Sequence, residues 1–283
     1  MVFQTLITAA QLAKFVEQDA CLVFDCRFNL ADVEAGRQAY TESHIPGAVY
    51  AHLDEQLCSP ITETSGRHPL PDMQLLVQWL GSQGMSDETP VVVYDDCGGA
   101  MAARLWWLLK GLGHEAVAVL DGGWQAWLAE GHEVTAQVAQ KQPSPYQASF
   151  DWSLVVSTAA ILDNVSTPSF LLVDVRTEER YQGIKEPIDP VAGHIPKAAN
   201  LPLSENLDSD GYFKPAEQLR ELYAPLDARC ISRKQVYMCG SGVTACQSLL
   251  AVVIAGFPMP RLYDGSWSEW IRDADRPMIS EAQ

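Results

Sequence analysis

Four landmarks occur twice in this 283-residue chain, in the same order. Leu22-Val23-Phe24-Asp25-Cys26-Arg27 returns as Leu171-Leu172-Val173-Asp174-Val175-Arg176, and Ser43-His44-Ile45-Pro46-Gly47-Ala48 as Gly193-His194-Ile195-Pro196-Lys197-Ala198. The run Val91-Val92-Val93-Tyr94-Asp95 matches Gln235-Val236-Tyr237-Met238-Cys239. Finally, Leu120-Asp121-Gly122-Gly123-Trp124-Gln125-Ala126-Trp127 matches Tyr263-Asp264-Gly265-Ser266-Trp267-Ser268-Glu269-Trp270. The offsets are 149, 150, 144 and 143 residues, so one unit of small-domain size is duplicated with modest insertions. Any fold proposed for one half must serve the other.

Each half alternates short apolar, β-branched runs with longer helical patterns such as Arg104-Leu105-Trp106-Trp107-Leu108-Leu109. That alternation predicts an α/β chain of two tandem domains, each a mainly parallel sheet flanked by helices. The stretch 137–150 is polar and contains Gln142-Pro143-Ser144-Pro145, which reads as the linker between a first domain, 1–136, and a second, 151–283.

In such sheets ligands sit beyond the carboxyl ends of the strands. Cys239 lies there, between the strand-like Gln235-Val236-Tyr237-Met238 and a long apolar segment from Ala245 to Phe257 that reads as a buried helix. The loop Cys239-Gly240-Ser241-Gly242-Val243-Thr244 therefore faces helix-start N–H groups that lack intrahelical partners. Those donors and the helix dipole favour thiolate over thiol, and the two glycines let several N–H groups turn toward one sulfur or anion. The alternative, a buried structural cysteine, fits Cys246 better than Cys239. In the first half Asp95 holds the equivalent position, with Cys97 two residues on. A carboxylate cannot attack sulfur and repels anions, so the first half is expected to be catalytically silent.

A cysteine phosphatase needs an arginine six residues after its nucleophile to clamp phosphoryl oxygens. That position is Ala245. What remains for an exposed thiolate in such a loop is sulfur transfer through a persulfide.

The chain resembles the tandem-domain rhodaneses over nearly its whole length, through His44-Ile45-Pro46-Gly47-Ala48, Tyr263-Asp264-Gly265-Ser266-Trp267-Ser268-Glu269-Trp270 and the Cys239 loop. Within that family the loop resembles those of 3-mercaptopyruvate sulfurtransferases. Thiosulfate-using members typically carry basic side chains at the two positions held here by Gly240 and Ser241. The resemblance implies that Cys239, Ser241 and His68 are catalytic, with His68 brought from the first domain to orient or deprotonate Ser241. It implies that Arg180 binds the donor's anionic group together with the backbone of Gly240, Gly242, Val243 and Thr244. Local sequence alone leaves Arg180 a surface salt bridge to Glu178 or Glu179. A second arginine common in mercaptopyruvate enzymes is missing, and in Lys185-Glu186-Pro187-Ile188-Asp189 the substitute is Lys185, a point charge without a fork. The family's aspartate partner of the histidine aligns with His52, with Asp54 two residues on, so the triad stays incomplete.

The expected reaction moves sulfur from a small anionic donor, 3-mercaptopyruvate, to cyanide, a thiol or a thioredoxin-like protein. Thiosulfate as donor is the near alternative, and a non-catalytic persulfide-carrying module the distant one. No cofactor is required by this chemistry, and the scattered histidines show no metal-ligand spacing, so none is expected. His44 and His194 recur in both halves and are expected to be structural, as are the tryptophans at 124, 127, 267 and 270.

A net charge of −17 argues against nucleic acid and anionic membranes as partners. The seven cysteines, at 21, 26, 58, 97, 230, 239 and 246, form no C-x-x-C pair and fit a reducing compartment. Met1 to Val16 lacks the basic start of a secretory signal, and the apolar run Leu249 to Phe257 is too short to span a bilayer. A cytoplasmic protein is expected.

Overall fold

A computed structural model describes residues 5–229 and 234–281. Cys230 and the first four residues of the stretch inspected for a signal peptide lie outside them. The chain divides into two compact units, one of Met1–Ser59, Leu70–Asp151 and Ser209–Phe213, the other of Pro60–Pro69, Trp152–Asp208 and Lys214–Gln283.

The first unit is built on strands β1 (Leu6–Ile7), β2 (Leu22–Asp25), β3 (Val49–Tyr50), β4 (Val91–Tyr94) and β5 (Val117–Leu120). They form one parallel sheet in the order β1-β5-β4-β2-β3. Its helices are α1 (Ala9–Glu17), α2 (Ala35–Glu42), α3 (Leu53–Gln56), α4 (Met73–Ser82), α5 (Ala102–Gly111) and α6 (Gly123–Ala129). Residues 22–25, 91–94 and 117–120 are buried on both faces, as parallel strands covered by helices must be. Helix α5, mostly apolar but for Arg104 and Lys110, is buried along nearly its whole length.

The second unit repeats the plan. Strands β6 (Leu171–Asp174), β7 (Ala199–Asn200), β8 (Gln235–Met238) and β9 (Arg261–Leu262) form a parallel sheet in the order β7-β6-β8-β9. Its helices are α7 (Thr158–Ser166), α8 (Glu178–Gln182), α9 (Ala216–Arg229), α10 (Ala245–Ile254) and α11 (Ser266–Trp270). Helix α10 is the buried helix expected after Cys239, with Ala245 to Val252 all buried. The sheet register equates Asp174 and Met238 with Asp25 and Tyr94, the match the repeated landmarks call for.

The duplication extends to side chains. Arg27 pairs with Asp25 at 2.6 Å and lies 4.5 Å over Trp124, while Arg176 pairs with Asp174 at 2.6 Å and lies 4.7 Å over Trp267. His44 Nδ1 meets Tyr40 O at 2.6 Å with its ring stacked on Tyr40, and His194 does the same with Tyr181 at 2.7 Å. Trp127 and Trp270 are both buried, each with its indole N–H donated to a backbone carbonyl.

Two segments sit differently from the linear division. Residues 137–150 pack within the first unit: Ser144 N–H donates to Gly81 O at 2.9 Å, and Phe150 packs edge-on to Trp107. Residues 60–69, placed by sequence in the first domain, belong to the second unit. Arg67 N–H donates to Ser268 Oγ at 3.0 Å and Arg272 Nε to Ser65 O at 3.2 Å. A Cβ at Gly66 would stand 2.6 Å from Gly265 O, so only glycine permits that approach.

Candidate active site

Cys239 directly follows β8 and is 2 % exposed, buried where an exposed thiolate is expected from the sequence. The start of α11 fixes its backbone. Cys239 N–H donates to Ser266 Oγ at 3.1 Å, Trp267 N–H donates to Cys239 O at 3.1 Å, and Ser268 N–H donates to Gly240 O at 2.9 Å. The chain then turns through Gly242, whose φ of +77° suits glycine and whose Cα presses on the Asp264 carbonyl so closely that a Cβ would collide with it. Val243 is buried, and Thr244 is the N-cap residue of α10 without a side-chain cap bond. Cys246 is fully buried, with its thiol directed at Gly242 O at 3.5 Å, which is a packing role.

Ser241 and His68 meet. His68 Nδ1 stands 2.8 Å from Ser241 Oγ, and both residues are buried. Because residues 60–69 belong to the second unit, His68, expected from the first domain, shares one compact unit with Cys239, Ser241 and Arg180. The aligned His52 is otherwise engaged in the first unit: its Nδ1 accepts the Asp54 N–H as the N-cap of α3, and its Nε2 lies 3.2 Å from Val33 O. Burial pushes the Asp54 carboxyl up from the ordinary aspartate value.

Arg180 projects from α8 and binds neither Glu178 nor Glu179 in the ion pairs described. Its guanidinium meets Glu186 at 2.8 Å and Asp189 at 3.1 Å. A residue that linear reasoning overlooked joins it. Arg67, the neighbour of His68, pairs with the same Asp189. Both guanidiniums converge on the residue after Cys239: a Cβ at Gly240 would stand 3.0 Å from Arg67 Nη2 and 3.4 and 3.6 Å from the two Arg180 Nη atoms. The space beside Gly240 is thus occupied by arginines arriving from 67 and 180. Lys185, the expected substitute, is exposed. Burial pushes the Arg67 guanidinium down from its ordinary value, against the opposing pull of nearby Cys239. The only sequence signal for Arg67 was its adjacency to His68.

The first unit shows what the same loop does without the cysteine. Asp95, 1 % exposed, accepts N–H bonds from Cys97 at 3.0 Å, Gly99 at 2.9 Å, and Met101 and Ala102 at 2.8 Å each. The carboxylate fills from within the anion cradle that such a loop makes. Burial, with Asp95 and Asp96 beside it, pushes the Cys97 thiol far up, so it is a poor nucleophile despite its exposure. The adjoining cleft of about 450 Å³ is lined by Phe28, Leu30, Asp96, Cys97 and Met101 among others, with no arginine in its wall.

Two parallel α/β units, one loop bearing a thiol and its counterpart bearing a carboxylate, define a duplicated protein with a buried cysteine at the strand-to-helix turn of its second unit. The rhodanese-like domain model matches residues 8–130 and again 157–273. The chain is 46 % identical over 278 residues to the probable 3-mercaptopyruvate sulfurtransferase of Pseudomonas aeruginosa, covering 97 % of this chain and 98 % of that one. It is 34 % identical to the thiosulfate sulfurtransferase of Cricetulus griseus over 97 % of this chain and 94 % of the relative. Among solved structures, the 3-mercaptopyruvate sulfurtransferase from Leishmania major superposes with a TM-score of 0.82 at 30 % identity, covering 94 % of this chain and 74 % of that one. The chain belongs to the rhodanese-like domain family. Among the described residues no helix is long and apolar enough to cross a membrane.

Proposed function

We propose that this protein is a sulfurtransferase that takes sulfur from 3-mercaptopyruvate onto Cys239 and passes it to a thiol, cyanide or a reduced thioredoxin-like protein. The observation that carries the donor assignment is the His68–Ser241 pair, 2.8 Å apart and two residues beyond the nucleophile. A mercaptopyruvate donor brings a thiol proton that must leave sulfur, whereas thiosulfate brings none. A serine–histidine pair beside the reacting sulfur serves the first donor and is idle for the second.

In the proposed reaction Arg67 and Arg180 hold the donor carboxylate over Gly240. The Cys239 thiolate attacks the donor sulfur, a sulfur–sulfur bond forms, and the donor's carbon–sulfur bond breaks. The electron pair of that bond stays on carbon as the pyruvate enolate. The thiol proton passes through Ser241 and His68 to that carbon, leaving pyruvate and a Cys239 persulfide. An acceptor thiolate or cyanide then attacks the outer sulfur, and the Cys239 thiolate is released. The backbone of Gly240, Gly242, Val243 and Thr244 shapes the loop around these events. A cytoplasmic setting with reduced thiols supplies the acceptor.

Names among the relatives include both donors. The test is kcat/KM on purified protein with 3-mercaptopyruvate and with thiosulfate, cyanide as acceptor, alongside intact-protein mass after donor alone. Preference for mercaptopyruvate and gain of one sulfur atom on Cys239 is the expected result. Preference for thiosulfate would overturn the donor, and sulfur uptake without turnover would favour a persulfide carrier.

A further inference from the structure

The arginines of the donor site arrive already neutralised. Asp189, with its side chain 3 % exposed, gives one carboxylate oxygen to Arg67 Nη1 and the other to Arg180 Nη2 at 3.1 Å. Glu186, also 3 % exposed, takes Arg180 Nε at 2.9 and 3.0 Å and Arg176 Nη1 at 3.4 Å. Arg176 is in turn matched by Asp174. Three guanidiniums thus meet three carboxylates, and the formal charge of the cluster over Gly240 is zero.

A neutral cluster treats anions differently by their charge. Its guanidinium N–H groups still offer directed hydrogen bonds, so one negative charge is accommodated by geometry. A second negative charge finds no net positive field to offset the loss of its hydration, and it lies close to the fixed carboxylates in a partly buried setting where such repulsion is large. Asp189 cannot swing away without stripping a partner from two arginines at once, because each of its oxygens serves a different one.

We propose that Asp189 sets the charge of the donor that this site accepts: by neutralising Arg67 and Arg180 together it admits monoanions and holds off dianions. Its biological meaning rests on the sulfurtransferase reading above, but the selection itself is a property of anion binding. Asp189 is a positioning and specificity residue and touches none of the reacting atoms. Glu186 bears on one of the two arginines and modulates the same balance more weakly.

The experiment measures how sulfate, a dianion, and pyruvate, a monoanion, protect Cys239 from alkylation by neutral iodoacetamide, in the wild type, Asp189→Asn and Asp189→Glu. Asp189→Asn is expected to raise the affinity for sulfate relative to pyruvate by at least about tenfold, since one charge about 4 Å away is worth roughly fivefold in bulk water and roughly a thousandfold at the effective dielectric of a partly buried site. The ratio of kcat/KM for thiosulfate over mercaptopyruvate should move the same way, and Asp189→Glu should keep the wild-type ratio. An unchanged ratio overturns the proposal. So does an equal weakening of both anions, which would mean that Asp189 only holds the arginines in shape. Should Asp189→Asn fail to fold by circular dichroism, Glu186→Gln carries the test, with a shift in the same direction expected and an unchanged ratio again overturning it. Because the protection assay needs no turnover, a shifted ratio in a protein inactive with both donors would sink the functional reading and leave this one standing.

Discussion

His68 Nδ1 lies 2.8 Å from Ser241 Oγ, although 173 residues separate them in the chain. If this pair moves the donor's thiol proton, His68→Ala and Ser241→Ala should each lower kcat/KM for mercaptopyruvate by about 10² and leave thiosulfate turnover nearly intact. The double variant should be little worse than either single one, as expected of groups acting as a unit. Equal losses with both donors would remove the pair from proton transfer.

Cys239→Ser should abolish transfer to any acceptor while far-UV circular dichroism stays unchanged. Cys246→Ala should keep turnover, since that thiol is buried within α10 and directed at the Gly242 carbonyl. Mass analysis after incubation with donor should find the added sulfur on Cys239; sulfur on Cys246 would reassign the nucleophile.

Arg67→Ala and Arg180→Ala should each raise KM for mercaptopyruvate by about ten- to a hundredfold, the range for losing a hydrogen bond to a charged group. Arg67→Lys should not restore it, because a point charge lacks the fork. Gly240→Arg, which imitates a basic thiosulfate-type loop, should impair both donors, because Arg67 and Arg180 already stand within 3.0–3.6 Å of where its Cβ would go. A gain in thiosulfate turnover by that variant would contradict this arrangement.

Asp95→Ala should destabilise the protein by about 3 kcal/mol, since it strands four N–H groups that now share one buried carboxylate. Chemical denaturation of the variant, followed by tryptophan fluorescence, checks this; a loss below about 0.5 kcal/mol would mean that water replaces the carboxylate freely.

Burial pushes Cys58 up from the ordinary thiol value of 9.0 to about 11, and Cys21 to about 12. The unfolded chain therefore ionises these thiols before the folded one does. Their contribution to stability is complete below about pH 9 and is lost as pH rises toward the folded values. The urea midpoint should fall between pH 8 and pH 10.5, less steeply in a Cys21→Ala/Cys58→Ala variant, and neither thiol should alkylate at pH 8 in native protein. An identical slope in that variant would assign the alkaline loss elsewhere.

The residues of the site divide by how local their signal is. The loop position of Cys239 and Ser241 is legible because a strand end, two glycines and a helix start surround them within a few residues, and the duplication marks Asp95 as the cysteine's counterpart. Arg180 was found through family resemblance, but its partners were not, because Glu186 and Asp189 reach it by a loop fold rather than by helical spacing. Arg67 escaped because its place depends on residues 60–69 packing against Gly265 and Ser268, a tertiary contact that no periodicity reports. The same contact moves His68 out of the domain that its sequence position suggests. In the fold, the parallel sheets followed from alternating apolar runs, whereas 137–150 looked like a linker because its polar, proline-containing composition conceals its backbone bonding to Gly81.

The aspartate in the first loop also makes a thiol-bearing site hard to build there. The path from loop start to helix runs Asp95 to Ala102 in one half and Cys239 to Ala245 in the other, one residue shorter. Restoring a thiol at 95 would leave that extra residue, the acidic neighbour Asp96 and a cleft wall without arginine. Reversal would take a deletion, a charge exchange and an imported cation together, each unfavourable until the others are present. A thiol at 95 alone would therefore not turn the first loop into a copy of the second; the carboxylate that ties the turn together also commits it to a scaffold's part.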